Sequence, residues 1–265
     1  MQRLLFILLF HFQLSAQTFN GAPMHGMGNT GLAIESIYSI TNNVAGLGNL
    51  DKTKVAIAYQ PHFLTKELRT QAAYVGIPIQ KVGAIGFGIR NYGIAQVSSF
   101  LTANLAYAKS FGGVFSSSIS ANYHRYYVEN YISDNVYSLD LGGLVKFGEL
   151  MNIGFVLRNA TFSKFKDDTE QYLPVEAGIG FLYRFSKELE VSADGYFENM
   201  QGINLRAGLA YSIADVIILR CGASSNPMQY YGGLGTNWKN FRFDVSTSFH
   251  QSLGSSPQFA LAYEF

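Results

Sequence analysis

The stretch PVEAGIGFLYRF, Pro174 to Phe185, decides how the rest of the chain is read. In an extended chain Val175, Ala177, Ile179, Phe181, Tyr183 and Phe185 share one face, while Glu176, Gly178, Gly180 and Arg184 share the other. One face suits lipid and the other does not, which is the pattern of a strand in a membrane barrel. The same split sets Phe241, Phe243, Val245 and Phe249 against Arg242, Asp244, Ser246 and Ser248. It also sets Ile203, Leu205, Leu209 and Tyr211 against Asn204, Arg206 and Gly208, and Ile85, Phe87 and Ile89 against Gly86, Gly88 and Arg90. A soluble β-sandwich also alternates, but its charged face is exterior and its turns carry more charge, so it stands second.

Runs bounded by turn signals number about fourteen, an even count as bacterial barrels require. They begin near Val55, Gln71, Val82, Ala95, Val114, Val136, Met151, Val175, Leu189, Ile203, Val216, Gln229, Phe241 and Gln258. The expected fold is therefore all-β, a transmembrane antiparallel barrel. Every second connection reads as a tight turn: IQKVG at Ile79 to Gly83, SFGGV at Ser110 to Val114, then FGELM, FSKEL, SIADV and WKNF. These are assigned to the periplasmic side. The alternate connections read as longer and more polar, notably VENYISDN from Val128 and ATFSKFKDDTEQYLP from Ala160. Pro78 and Pro174 fall at run ends, where a missing N–H does least harm.

Composition agrees. Of 265 residues, 48% are hydrophobic, 15% aromatic and 14% charged, too aromatic and too weakly charged for an ordinary soluble domain. A net charge of +1 without any basic block leaves no footprint for nucleic acid. Cys221 stands alone, expected as a small apolar packer, and no Cys/His grouping has metal-ligand spacing, so no metal or cofactor is expected. Aromatic residues near run ends, Tyr59, Tyr107, Phe111, Phe147, Phe185, Tyr211 and Trp238, read as interfacial girdles.

Residues 1–17, MQRLLFILLFHFQLSAQ, read as a cleaved signal peptide, because about 10 apolar residues fall short of the ~20 needed to span a bilayer as a helix. The barrel is expected over 51–265. It closes on QFALAYEF, where Phe259, Leu261, Tyr263 and Phe265 alternate to the last residue, resembling the terminal signal by which outer-membrane barrels are inserted. Outer-membrane lipid and the barrel-assembly machinery are then its first partners, and the outer membrane of a Gram-negative cell its location.

A barrel of about fourteen strands lies between the filled eight-stranded and the open sixteen-stranded cases, so something must occupy its lumen. Residues 18–50 lack strand alternation and are expected to enter or cap the barrel from the periplasmic side as a plug, with a short helix over Leu32 to Ile40. Inward glycines, Gly86, Gly88, Gly142, Gly154, Gly178, Gly180, Gly208 and Gly222, leave room for backbone to approach the wall, or else simply relieve curvature.

GMGNTGLAI followed by SITNNVAGLGNL is similar to the amino-terminal signature of the FadL-like barrels, and within them to the PorV and PorQ type proteins of Bacteroidota. Asn42, Asn43, Val44, Ala45, Gly46 and Leu47 form the plug motif, with Val44 where those families usually carry proline. The resemblance implies a fourteen-stranded barrel. It also implies one of two roles: an accessory part of an outer-membrane protein machine such as type IX secretion, ranked first, or passive transport of small hydrophobic or amphipathic solutes. An enzyme ranks last. A GxGxxG string from Gly26 to Gly31 has no strand before it and is not read as a dinucleotide site.

The inward charges nearly balance. Arg90, Asp140, Arg158, Glu176, Arg184, Asp194, Arg206, Arg220, Arg242 and Asp244 are expected to form an ion-pair network bracing wall and plug, rather than a filter of one sign. They are not read as catalytic, since no Ser/His/Asp arrangement accompanies them. His25, His62, His124 and His250 are scattered and expected on the surface or in loops.

Overall fold

A computed structural model describes residues 19–166, 173–214, 216–250 and 253–265, and the expected signal peptide lies outside the described residues. The alternating runs become fourteen antiparallel strands: β1 (Lys54–Pro61), β2 (Leu68–Ile79), β3 (Gly83–Ile94), β4 (Ser98–Phe111), β5 (Phe115–Val128), β6 (Ile132–Phe147), β7 (Met151–Arg158), β8 (Glu176–Arg184), β9 (Leu189–Glu198), β10 (Gly202–Ile213), β11 (Ile217–Ser225), β12 (Met228–Trp238), β13 (Phe241–His250) and β14 (Gly254–Glu264). Each pairs with its chain neighbours, and β1 pairs β14 from Lys54↔Glu264 to Tyr59↔Phe259, which closes the barrel. Over the paired stretch closure leaves no sheet edge, the condition for spanning a bilayer with strands.

The alternation sorts as the deciding stretch requires. On β8, Ile179 is 60% exposed and Phe181 39%, while Glu176 and Leu182 face inward at 8% and 1%. Cys221 follows the same rule: it sits on the outward face of β11 opposite Leu209, exposed rather than packed inside.

Some boundaries move, all at the end away from the barrel termini. β2 opens at Leu68, β6 at Ile132 and β14 at Gly254, each earlier than read, and β4 opens later, at Ser98. There the outward positions turn polar, with Arg69, Gln71, Ser133 and Asn135, so apolar alternation stops marking a ladder that continues. The stretch VENYISDN is accordingly not a long loop. β5 and β6 pair up to Val128↔Ile132, and residues 129–131 turn tightly with Asn130 in the left-handed region at φ 58°. Only the connections 62–67 and 159–175 are long at this end, which we call the loop end.

The seam between β1 and β14 is incomplete there. Beyond Phe259 the edge of β14 meets no partner on β1, and a 3-10 turn at His62–Leu64 covers it, Phe63 donating its N–H to Ser256 Oγ at 2.9 Å. His62 is buried and hydrogen-bonded to Thr70 Oγ1 at 2.8 Å. Burial pushes its imidazole down to about 4. A histidine whose folded value lies below its unfolded value adds stability that is complete above the unfolded value of about 6.5 and is lost as pH falls through the folded one. In detergent the His62 contribution alone should therefore remove up to roughly 3 kcal/mol of unfolding stability between pH 6.5 and 4. His62→Gln should flatten that slope; an unchanged slope would place the titration elsewhere.

The core is the lumen. Phe19, Met24, Ile37, Tyr38, Ile40, Val44 and Leu47 from the N-terminal segment pack against wall alanines, Ala56, Ala58, Ala72, Ala84, Ala106, Ala108 and Ala260. Small inward residues on the wall let a chain of large apolar residues fit inside it.

Candidate functional site: the lumen and its N-terminal segment

Residues 32–40 do not form one helix. A helical turn spans Ala22–His25, and 3-10 turns span Ile37–Ile40 and Val44–Leu47. The reason is that the carbonyls of Leu32 and Ala33, which a helix would use, are taken by the motif and the wall, while Asp194 pins the start of the stretch. Asp194 accepts from the N–H of Gly31 at 2.7 Å and of Leu32 at 3.2 Å. Asn43 donates to the Leu32 and Gly143 carbonyls at 2.7 and 2.9 Å, and Asn152 donates to the Ala33 carbonyl at 3.1 Å. Ser36 then caps the first 3-10 turn through Tyr38 N–H, and Asn43 Oδ1 caps the second through Ala45 N–H at 3.2 Å. In the motif, Asn42 through Leu47 are buried, except that Gly48 and Asn49 beyond it reach the surface.

The eight inward glycines all lie against this segment. A Cβ on Gly86 or Gly88 would meet Ile40, on Gly142 it would meet Asn43, and on Gly154, Gly178 or Gly180 it would meet Leu32. On Gly208 and Gly222 it would meet Met27. Close approach of the segment, by its backbone at Gly154, Gly180, Gly208 and Gly222 and by its side chains at Gly86, Gly88, Gly142 and Gly178, is thus the local reason for glycine at these positions.

The inward charges do not form one network. Arg158 pairs with Glu176 and also donates to the Asn42 carbonyl at 2.9 Å. Arg184 pairs with Glu190 at 3.0 Å. Arg220 and Arg242 share Asp244, both at 2.9 Å, with Arg220 and Asp244 2% and 0% exposed. Arg206 lies 4.1 Å over the Tyr196 ring and donates to the Asn29 carbonyl at 3.2 Å. Among the described residues Arg90, Asp140, Asp194 and Arg206 have no oppositely charged atom within 4.0 Å. Parity places a charge inside but says nothing of its position along the barrel, and at their own heights backbone groups of the segment and loops serve Asp140, Asp194 and Arg206 instead. Asp140, for instance, accepts from Asn159 N–H at 2.8 Å.

Three of the histidines are buried rather than on the surface. His25 rests edge-on against Tyr231 with Nδ1 2.9 Å from Ser246 Oγ. His62 bonds Thr70 on β2 beside the seam, and His124 lies between Thr102 and Ser138. Each found a hydroxyl on an adjacent strand, a contact that one strand read alone does not show.

The segment separates two spaces. Toward the loop end lies a cavity of about 190 Å³ floored by Asn29, Thr41, Asn42 and Val44 and walled by Arg90, Asn104, Asn122, His124, Arg158 and Arg206. Toward the barrel termini lies a larger space of about 550 Å³ bounded by Glu35, Lys54, Arg184, Arg220 and Arg242. The polar residues of β4 to β6 that wall the first were not singled out from sequence, although Thr102, Asn104, Asn122 and Ser138 all share the inward parity.

Fold and lumen together define a closed fourteen-stranded transmembrane barrel of the outer-membrane type, with its N-terminal segment inside. Neither a protein-family model nor a curated protein sequence matches the chain. Solved structures do. The Pseudomonas putida toluene transporter TodX is similar over 94% of this chain and 99% of its own, at TM-score 0.68 and 12% identity. The Ralstonia pickettii toluene transporter TbuX is similar over 92% and 98%, at 0.63 and 12%, and a Pseudomonas aeruginosa FadL homologue over 93% and 98%, at 0.62 and 10%. At such identities the likeness establishes the fold alone, the closed barrel that these structures share.

Proposed function

We propose that the chain is an outer-membrane channel for a small amphipathic solute, with residues 18–50 as an obstruction that must move for passage. The observation carrying this is that the loop-end cavity ends on the N-terminal segment and not on the barrel wall. The segment is held there by side chains such as Asp194, Asn43 and Asn152, a hold that local rearrangement can release. The resemblance of the fold to toluene transporters supports passage over catalysis or assembly.

Two observations shape the reading. The wall is laddered all round at the level of the segment, so the way through lies past the segment and not through a gap in the strands. The occlusion itself favours the other role, an accessory part of a PorV or PorQ type secretion machine, which otherwise rests on the N-terminal motif alone. Planar-bilayer recordings of the purified chain, with and without residues 18–50, separate them. We expect rare openings in the intact protein and steady conductance after deletion. Silence in both, together with copurification of a larger complex from native membranes, would replace transport with assembly.

A further inference from the structure

On the β3 to β6 side of the loop-end cavity, inward side chains stand in rows set by the ladder. Arg90 is beside Thr102 and Thr102 beside His124; Asn104 is beside Asn122 and Asn122 beside Ser138. The rows are joined by hydrogen bonds: Thr102 to His124 at 3.2 Å, His124 to Ser138 at 3.0 Å, Asn104 to Asn122 at 2.6 Å and Asn122 to Ser138 at 3.3 Å. Such a wall offers amide, hydroxyl and imidazole groups to whatever enters, with Phe100 and Val156 as the nearby apolar patch.

The charges facing the cavity are not equally satisfied. Arg158 holds Glu176 and faces Asp140; Arg206 lies on Tyr196 and faces Glu198. Among the described residues Arg90 has one hydrogen-bond partner, Thr102 Oγ1, at 3.5 Å, the long limit of a hydrogen bond. Its charged neighbour is Arg158, of like sign. A guanidinium held in a lumen without a carboxylate is short of the bidentate partner its geometry favours. Three arginines, Arg90, Arg158 and Arg206, and three carboxylates, Asp140, Glu176 and Glu198, line the cavity, so an anion has a single guanidinium to use, the one facing no carboxylate among the described residues, and that suits a monoanion better than a phosphate monoester at roughly −1.5 to −2. The volume, about 190 Å³, lies below the roughly 300–1,000 Å³ of sites for drug-sized ligands.

We propose that this wall binds a small hydroxylated carboxylate, its carboxylate on Arg90 and its hydroxyls on the Asn104, Asn122 and His124 side. The site rests on the channel reading for its role, and names the class of solute that the channel selects. It departs from a purely apolar cargo because the cavity spends its inward positions on hydrogen-bonding groups.

The probe is D-gluconate, titrated calorimetrically into the full chain in detergent at low salt, beside neutral D-glucitol and apolar octanoate. Hydrogen bonds to a charged group are worth about tenfold or more in affinity, so gluconate should exceed both by that factor. Arg90→Gln should abolish the preference over glucitol and Arg90→Lys should keep part of it. Removing an unpaired charge should not unfold the barrel. Asn122→Leu, which leaves every charge in place, should weaken gluconate and not octanoate, and it tests the site even if the Arg90 variants fail to fold. Gluconate no better than glucitol, or a preference surviving Arg90→Gln, overturns the proposal. If solutes pass the released barrel without that preference, the site falls and the channel reading stands; if gluconate binds through Arg90 but nothing passes, the reverse holds.

Discussion

Gly154→Val is expected to turn a closed barrel into a conducting one. A Cβ at this position would overlap the Leu32 carbonyl and lie 3.0 Å from Ala33 N. Neither residue has freedom to retreat, because Leu32 is tied to Asp194 and Asn43, and Ala33 to Asn152. Overpacking costs about 1–3 kcal/mol where neighbours can relax, and each of the hydrogen bonds broken by a forced shift is worth about 1 kcal/mol more. The wall loses little, since Gly154 pairs Leu144 and Gly180 in the ladder and valine favours a strand. The conflict is therefore resolved by the segment leaving. Bilayer conductance and protease cleavage between residues 19 and 50 should rise together. Gly195→Val is the control: its Cβ would meet only Leu205 at 3.5 Å and Ile179 at 4.0 Å, outside the barrel. If Gly154→Val stays silent and protected while still folding, the segment is not what closes the lumen.

Asp244→Asn should destabilise the barrel by about 3–5 kcal/mol, the usual cost of leaving a buried ion without its partner. Arg220 on β11 reaches Asp244 on β13 across β12, and it does so because β12 carries Gly233 and Gly235 there. A Cβ on Gly235 would meet both groups. With Arg220 2% exposed, water compensates little of the lost carboxylate. Arg242 is 38% exposed and suffers less. Urea unfolding in detergent, followed by the fluorescence of Trp238 near the same end of β12, measures the loss. Arg220→Leu with Asp244→Leu should recover most of it, because replacing a buried pair by apolar groups is often neutral. A single variant as stable as the double would show that the pair carries no such burden.

The legible part of this protein was its wall. Period-two alternation is local: Ile179 and Phe181 face lipid because their neighbours Gly178 and Gly180 do not, and no distant residue is needed to say so. The ends of β2, β6 and β14 were legible only as far as the lipid belt, because beyond it Arg69 or Asn135 on the outward face costs nothing in water.

The inward parity of Arg90, Asp194 and Arg220 was likewise readable, but their partners were not. Arg220 meets Asp244 over a glycine gap on a third strand, and Asp194 meets the Gly31 and Leu32 N–H groups across 163 and 162 residues of chain. Leu32 to Ile40 has helical spacing, and in isolation nothing forbids the helix. Only the tertiary fold decided otherwise, because Asn43 and Asn152 bind the Leu32 and Ala33 carbonyls that the helix needs, and Asp194 fixes the chain at Gly31 and Leu32. The sequence alone therefore determined which face of each strand looks inward. Which inward groups meet, and that Arg90 meets no carboxylate among the described residues, was decided by barrel closure, because only the tertiary fold brings side chains from separate strands to one height around the lumen.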